Sequence, residues 1–342
     1  MRNLIVLAAA LALFTAAAAQ AEQKNVQLLT NMSDYELQRT MNMMRGSLGV
    51  HCDFCHVVGK EGWDFASDEK KEKKTAREMI SMVLKLNKEQ FEGRAEIGCN
   101  TCHRGAINPR ALVTLPQTPP PFPTPKPQRP ELPPLADIVK KYAAAVGDAT
   151  KWESRVERGT REDSKGVSAP ITIEETTNKW HVVGETPAGK MDQVVVGQSG
   201  WARGEKGLQQ LKPGDIGRFH DIAAAYVPTP PSAIPSDARV IAKEKVGEHE
   251  TVVVVARAGS TRQRFYFDSA TGLLVRRTII IDSPVGPIPQ QSDFDDWRDA
   301  GGAKYPFSVR ASFVDPWNSA TRKYSEVKLG AVDAKAFEEP KP

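Results

Sequence analysis

Two short runs carry the chemistry of this chain: Cys52-Asp53-Phe54-Cys55-His56 and Cys99-Asn100-Thr101-Cys102-His103, which together use all four cysteines. In each, two thiols stand three positions apart and an imidazole follows directly. That pattern suits covalent attachment of haem c, in which the thiols add to the two vinyl groups and the His becomes one axial ligand of the iron. Two other uses of paired cysteines fit less well. A structural zinc site needs no His after each pair, and a thioredoxin-like dithiol occurs once, beside a βαβ pattern. Cys52, Cys55, Cys99 and Cys102 are therefore read as thioether donors and His56 and His103 as axial ligands for two haem c groups, with no cysteine left for a disulfide.

The elements that must position these motifs are helices. Ser33, followed three residues later by Glu36, has the capping-box signature of a helix start. Leu37, Met41, Met44 and Leu48 then fall on one face, Met43 lies off that stripe, and Gly46 and Gly49 help to end the helix before Cys52. Between the motifs, a helix over Asp68 to Asn87 presents Ala76, Met79, Ile80, Val83 and Leu86 on its apolar face. Its polar side carries Lys70, Lys71, Lys73, Lys74 and Arg77, which is either a solvated face or a docking patch for an acidic redox partner. An iron with one imidazole needs a sixth ligand, and methionine sulfur is a common one that raises the potential. Met41 or Met44 serves the first haem on these grounds, and Met79 or Met82 the second; periodicity does not separate them.

The runs Met41-Asn42-Met43-Met44-Arg45-Gly46-Ser47-Leu48-Gly49-Val50-His51-Cys52, Ala76-Arg77-Glu78-Met79-Ile80-Ser81-Met82 and Cys99 to Gly105 resemble the cytochrome c subunit of photosynthetic reaction centres. The resemblance covers residues 24 to 110. It implies a unit of Met-bearing helix, turn and short C-x-x-C-H helix, with Met41 on the first iron and Met79 on the second. It also implies electron transfer with protein partners, for which a membrane-bound reaction centre or respiratory complex is the candidate. Two departures stand out. Reaction-centre members usually carry four haems in two such pairs, whereas this chain has one pair. One family haem also takes a second His from a distant helix, and no His lies between Asn87 and Cys99.

At 342 residues the chain is long enough for two domains, and its formal net charge of +4 gives no case for nucleic-acid binding. Met1-Arg2-Asn3, the apolar run Leu4 to Ala19 and Ala19-Gln20-Ala21 have the n-region, h-region and cleavage site of a secretory signal over residues 1–21. An uncleaved anchor is the alternative, though the run falls short of the ~20 residues that span a bilayer. No cysteine near the cleavage site offers an acyl anchor. The location expected is periplasmic or otherwise extracytoplasmic, peripheral to the membrane at most.

The expected organisation is a helical dihaem module over 22–108, a proline-rich linker over 109–134 and a β domain over 135–342. Ten prolines between Pro116 and Pro134 forbid helix and sheet and favour an extended spacer. A helix from Leu135 to Val146 follows, ended by Gly147. Strand-like runs come next: Trp152–Glu162, Ile171–Glu175, Lys179–Thr186, Met191–Gly197, Ala238–Lys245, Glu250–Ala258, Arg262–Asp268, Leu273–Asp282, Gln291–Trp297, Phe307–Asp315 and Thr321–Val332. Asp268 to Gly272 makes a hairpin turn, and a helix over Pro213 to Tyr226 covers one opening of the sheet. The fold class is thus multidomain α + β, ending in an antiparallel, curved, half-barrel-like sheet. The order of helix, strands, Y-F-D-S-A-T-G-L-L-V-R and D-F-D-D-W-R resembles periplasmic lipoprotein-carrier half-barrels. That likeness implies a concavity for a hydrophobic ligand. Asp293, Asp295 and Asp296 are read as a solvated loop, and His181, His220 and His249 as satisfied side chains without ligand spacing.

The function expected is that of an exported dihaem electron carrier and not an enzyme. Two rivals stand beside it. A dihaem peroxidase needs one iron with an open sixth position. A ligand-binding β domain makes the haem module a sensor or passenger.

Overall fold

The computed structural model describes residues 24–60, 62–109, 112, 115–116, 118, 131–186, 189–204, 207–259, 261–314, 319–330 and 332–339. The signal segment 1–21, most of the proline-rich stretch 109–134 and Asp315 lie outside them.

The N-terminal part is built from three helices. Helix α1 (Asp34–Leu48) starts on the capping box read from the sequence: Glu36 N–H donates to Ser33 Oγ at 3.3 Å, and Ser33 N–H donates to Glu36 Oε2 at 2.9 Å. It stops at Gly49, whose φ of 68° is left-handed and whose N–H returns to Arg45 O. A 3-10 turn (Cys52–Phe54) and a small hairpin of β1 (Val57–Gly59) and β2 (Gly62–Asp64) lead to α2 (Lys71–Gln90), and α3 (Cys99–His103) is the second cysteine motif itself.

The buried face of α1 differs from the expected stripe. Thr40, Met43, Met44 and Ser47 are buried, whereas Met41 is 37 % exposed. Met43, expected off the stripe, is the most buried methionine of the four in or next to the helix that the stripe concerned, at 2 %. Small polar residues decide this. Ser47 lets α3's following loop approach, with Gly105 N–H donating to Ser47 O at 2.7 Å, and its hydroxyl satisfies itself on Met43 Sδ at 3.5 Å. A hydrophobicity stripe cannot register that close approach.

Beyond the prolines, α4 (Leu135–Val146) ends at Gly147 as expected. The strands β3 (Arg155–Asp163), β4 (Ser168–Thr176), β5 (Lys179–Thr186), β6 (Gly189–Val196), β7 (Ser199–Gly204) and β8 (Gly207–Gln210) form one antiparallel meander. Helix α5 (Pro213–Ala225) then crosses to a second: β9 (Arg239–Val246), β10 (His249–Ala258), β11 (Thr261–Asp268), β12 (Leu274–Ile281), β13 (Ile288–Asp299), β14 (Lys304–Phe313) and β15 (Ala320–Leu329). Pairing of β15 with β3 joins the two into a single curved 13-stranded sheet. Strands β7 and β8 and the β1–β2 hairpin go beyond the expected runs; short and carrying glycines, they lack a clean alternation.

Helices α4 and α5 lie on one face of the sheet. Ile138, Tyr142, Val146, Ala225 and Tyr226 pack there with Phe265, Phe267, Leu274 and Tyr305, and this face is filled by side chains. Arg277 ties α5 to the sheet by donating to Ala224 O at 2.5 Å and Thr229 Oγ1 at 3.0 Å; burial lowers its guanidinium pKa to about 10, so it stays charged at neutral pH. On the opposite face a C-terminal 3-10 turn (Ala334–Phe337) covers Val194 and Trp201.

The helical part and the sheet share a core. Leu29, Met43, Met44, Ile80 and Val83 pack with Val285, in the β12–β13 connection, and with Ile288, the first residue of β13. At α1's N-terminal end, Tyr35 OH donates to Asp221 of α5, and Arg39 pairs with the same carboxylate at 3.3 Å. Gly46 lies so close to Val314 that a Cβ would meet its carbonyl oxygen at 2.5 Å.

Candidate functional site

Each C-x-x-C-H run is wound into about one helical turn, which places the two sulfurs of a pair on the same side of the backbone. The two turns are neighbours. A Cβ on Gly49, three residues before Cys52, would meet Gly105 O, two residues after His103, at 2.3 Å. At about 3.8 Å per residue, Cys52 and His103 therefore lie within about 25 Å of each other.

The histidines are prepared as ligands. His103 Nδ1 lies 3.1 Å from Ala106 O. A carbonyl oxygen only accepts, so Nδ1 carries the proton and Nε2 offers its lone pair, the arrangement by which a backbone partner orients a metal-binding imidazole. His56 Nδ1 is buried without a hydrogen-bond partner, and its ring meets Phe65 edge-on at 5.1 Å between centroids. Burial pushes the His56 pKa down, and Lys73 adds to this, so the imidazole is neutral.

Two of the thiols are poorly suited to redox exchange. Burial raises the pKa of Cys55 and of Cys99, the reverse of the depression an attacking thiolate needs. Among the described residues no group of three or more His, Cys, Asp or Glu side chains could hold a metal ion, so the two pairs do not converge on a zinc site. The donor set fits haem c instead: two spaced thiols, an oriented imidazole and apolar surroundings. Val58, Trp63, Phe65, Met79, Met82 and Ile107 all keep more than a third of their surface exposed within this small helical part, and an open cleft of about 520 Å³ adjoins the first motif at Val50, His51, Asp53, Phe54, Lys70 and Glu72.

The four methionines considered from the sequence fall into two groups. Met44 is 8 % exposed and packed in the core shared with the sheet, whereas Met41, Met79 and Met82 are 37 %, 39 % and 50 % exposed.

Two positioning residues escaped the sequence reading. Lys73 is buried and donates to the carbonyls of Phe65, Ala66 and Ser67 at 2.9, 3.0 and 2.7 Å, with Asp68 at 3.2 Å, thereby fixing the loop that sets Phe65 on His56. Asn87 donates to Ile97 O at 2.8 Å and accepts from Ile97 N–H at 2.9 Å, stapling the approach to the second motif. A signal was present: Lys73, Ile80, Val83 and Asn87 recur at helical spacing, so both polar residues lie on the buried stripe of α2. The basic patch is corrected accordingly. Lys73 is internal, Lys70 caps Asp53 O, and Arg77 binds Asn25 O at 3.1 Å and Asp68 at 2.9 Å, which leaves Lys71 and Lys74 as the exposed cations.

The remaining candidates are satisfied within the sheet or between α5 and the sheet. His181 lies between Glu174 at 2.9 Å and Asp192 at 3.0 Å, His220 against Gly197 O at 3.1 Å and His249 against Asp268 at 2.9 Å. Asp293 and Asp296 pair with Arg276 and Arg298. All three aspartates stand in β13, not in a loop.

Known proteins resemble the two parts separately. A LolA superfamily protein of Nitrosomonas europaea is 11% identical, covering 60% of this chain and 97% of that one at a TM-score of 0.38. A DUF1329 family protein of Desulfovibrio piger is 9% identical, covering 59% and 95% at a TM-score of 0.39. Cytochrome c-554 of Chloroflexus aurantiacus is 36% identical over 91 residues, which are 25% of this chain and 21% of that protein, so the match spans about a fifth of the relative. Residues 2–124 match the family of the photosynthetic reaction centre cytochrome C subunit, and the N-terminal third of the chain is accordingly similar to that family.

Proposed function

We propose that the chain is an extracytoplasmic dihaem c-type cytochrome that passes electrons between redox protein partners. The observation that carries this reading is the juxtaposition of two C-x-x-C-H turns through Gly49 and Gly105. Haem c, when bound, supplies a one-electron ferric–ferrous couple. The chain's own residues do the rest. Cys52 and Cys55 would tether one group and Cys99 and Cys102 the other, with His56 and His103 as the imidazole ligands. Lys73 holds the loop that sets Phe65 on His56, and Asn87 holds the approach to Cys99.

Met41 and Met79 are the sixth ligands proposed. The burial of Met44 supports Met41 for the first site. For the second, Met79 rests on its place after Ala76-Arg77, which matches the family resemblance. With both sulfurs bound, neither site would be open to peroxide, which is the arrangement of a carrier and not of a peroxidase. The filled face of the sheet under α4 and α5 supports a supporting role for that part over one of holding a hydrophobic ligand. Among the described residues no helix is long and apolar enough to cross a membrane. The signal-like residues 1–21 and the cytochrome similarity support the extracytoplasmic placement.

The test is mass and spectrum together. The purified chain is expected to carry two covalent haem masses and no free thiol, with a weak far-red ferric band from sulfur ligation that halves in Met41→Ala and in Met79→Ala. A colourless chain with four free thiols overturns the reading.

A further inference from the structure

We infer that the β12–β13 connection, Ser283–Pro287, is the positioning element of the second haem site, so that the sheet sets the redox properties of that centre and not of the first. The inference rests on the dihaem reading above. Val285 is fully buried, and its carbonyl accepts the Cys99 N–H at 3.3 Å, with Cys99 Sγ at 3.9 Å from the same oxygen. One residue earlier, Gly98 meets Gly286 backbone to backbone. A Cβ on Gly98 would lie 2.7 Å from both Gly286 Cα and Val285 O, and a Cβ on Gly286 would lie 2.8 Å from Gly98 Cα.

The connection is itself rigid. Ser283 Oγ is buried and donates to Gly286 O at 2.6 Å, Gly286 N–H returns to Ser283 O at 3.2 Å, and Gly286 has a φ of 124°, which glycine alone adopts without strain. Val285 also packs in the shared core with Met43, Met44, Ile80 and Val83, against which Cys99 is partly buried. The first motif is held differently, by its own neighbours: Arg45 reaches Cys52 Sγ at 3.7 Å and Lys70 caps Asp53 O. A loop more than 180 residues downstream therefore touches the start of the second attachment turn directly, whereas the side chains that bond the first turn itself are Arg45 and Lys70. Because hydrogen bonding and exposure around a haem tune its potential, displacing this loop moves one couple of the two.

The experiment is a spectroelectrochemical titration of the full-length holoprotein, with haem stoichiometry by mass. The second couple is assigned as the one lost in a chain carrying both Cys99→Ala and Cys102→Ala. In Gly286→Val, two covalent haems and an unmoved first couple are expected, with the second equilibrium displaced at least tenfold, about 59 mV for one electron. Ser283→Ala, which removes one hydrogen bond and adds no bulk, is expected to displace the second couple alone and by less. It decides the matter if Gly286→Val does not fold. Two haems with the second couple unmoved, or with both couples moved equally, overturn the inference and leave the dihaem reading intact. A chain without covalent haem overturns both.

Discussion

The helical part and the sheet are held together by different means. In the sheet, large aromatic and branched side chains fill one face under two helices, and each buried Phe, Leu or Val is worth about 1.5–3 kcal/mol. The helical part has five buried apolar residues in the cluster that it shares with Val285 and Ile288, and much of its shape comes from polar clamps: the Ser33 cap, Lys73 on three carbonyls and Asn87 on Ile97. Five buried apolar residues make a small core, and Val285 and Ile288 from the sheet extend it. Substitutions in the sheet should therefore act on stability, whereas substitutions at the clamps should act on geometry around the cysteine motifs.

That contrast can be broken. Phe267→Ala should cost about 3–5 kcal/mol by opening a void beneath Tyr142 and Phe265, read as a lower denaturation midpoint by circular dichroism. If the two parts are coupled through Val285, the visible spectrum of the second centre is lost in the same transition; two separate transitions would refute the coupling. Lys73→Met should cost about 1–3 kcal/mol, since the carbonyls of Phe65, Ala66 and Ser67 lose their donor, and should alter the spectrum of the first centre alone. Asn87→Ala, which frees both polar groups of Ile97, should cost about 1–2 kcal/mol and alter the second centre alone. A shared response in either variant would erase the distinction between the two clamps.

The smallest effect is pH-dependent. Asn25, then Lys73 and Arg77, hold the Asp68 carboxyl down at about 2 against an ordinary value of 3.8. Its folded pKa being depressed, the contribution is complete above the ordinary value and is lost as pH falls through about 2. Acid titration between about pH 5 and pH 2 should therefore disturb the loop over His56, seen in the first centre's spectrum, and Asp68→Asn should remove that pH dependence.

Much of this was legible in the sequence where the determinants are local. The capping box at Ser33, the stop at Gly147, the turn at Asp268 to Gly272 and helix α5 from Pro213 all act within a few residues, and the structure shows each of them. Both cysteine motifs were legible for the same reason. What was not legible depends on distant partners. Met43 is buried and Met41 exposed because of what lies across from α1, and Lys73 reads as a surface cation until the carbonyls of its loop are in view. Gly98 and Gly286 each look like ordinary turn residues; only their contact gives either a reason.

The pairing of β15 with β3 has a consequence for how the chain comes to be folded. Each strand from β4 to β8 and from β10 to β15 pairs with its predecessor, so both meanders assemble from short-range contacts; the seam between them alone needs Ala320–Leu329 to find the distant Arg155–Asp163. Until then Arg155–Asp163 presents a bare, adhesive edge to any passing strand, and a chain cut short ahead of the final strand would be prone to clump.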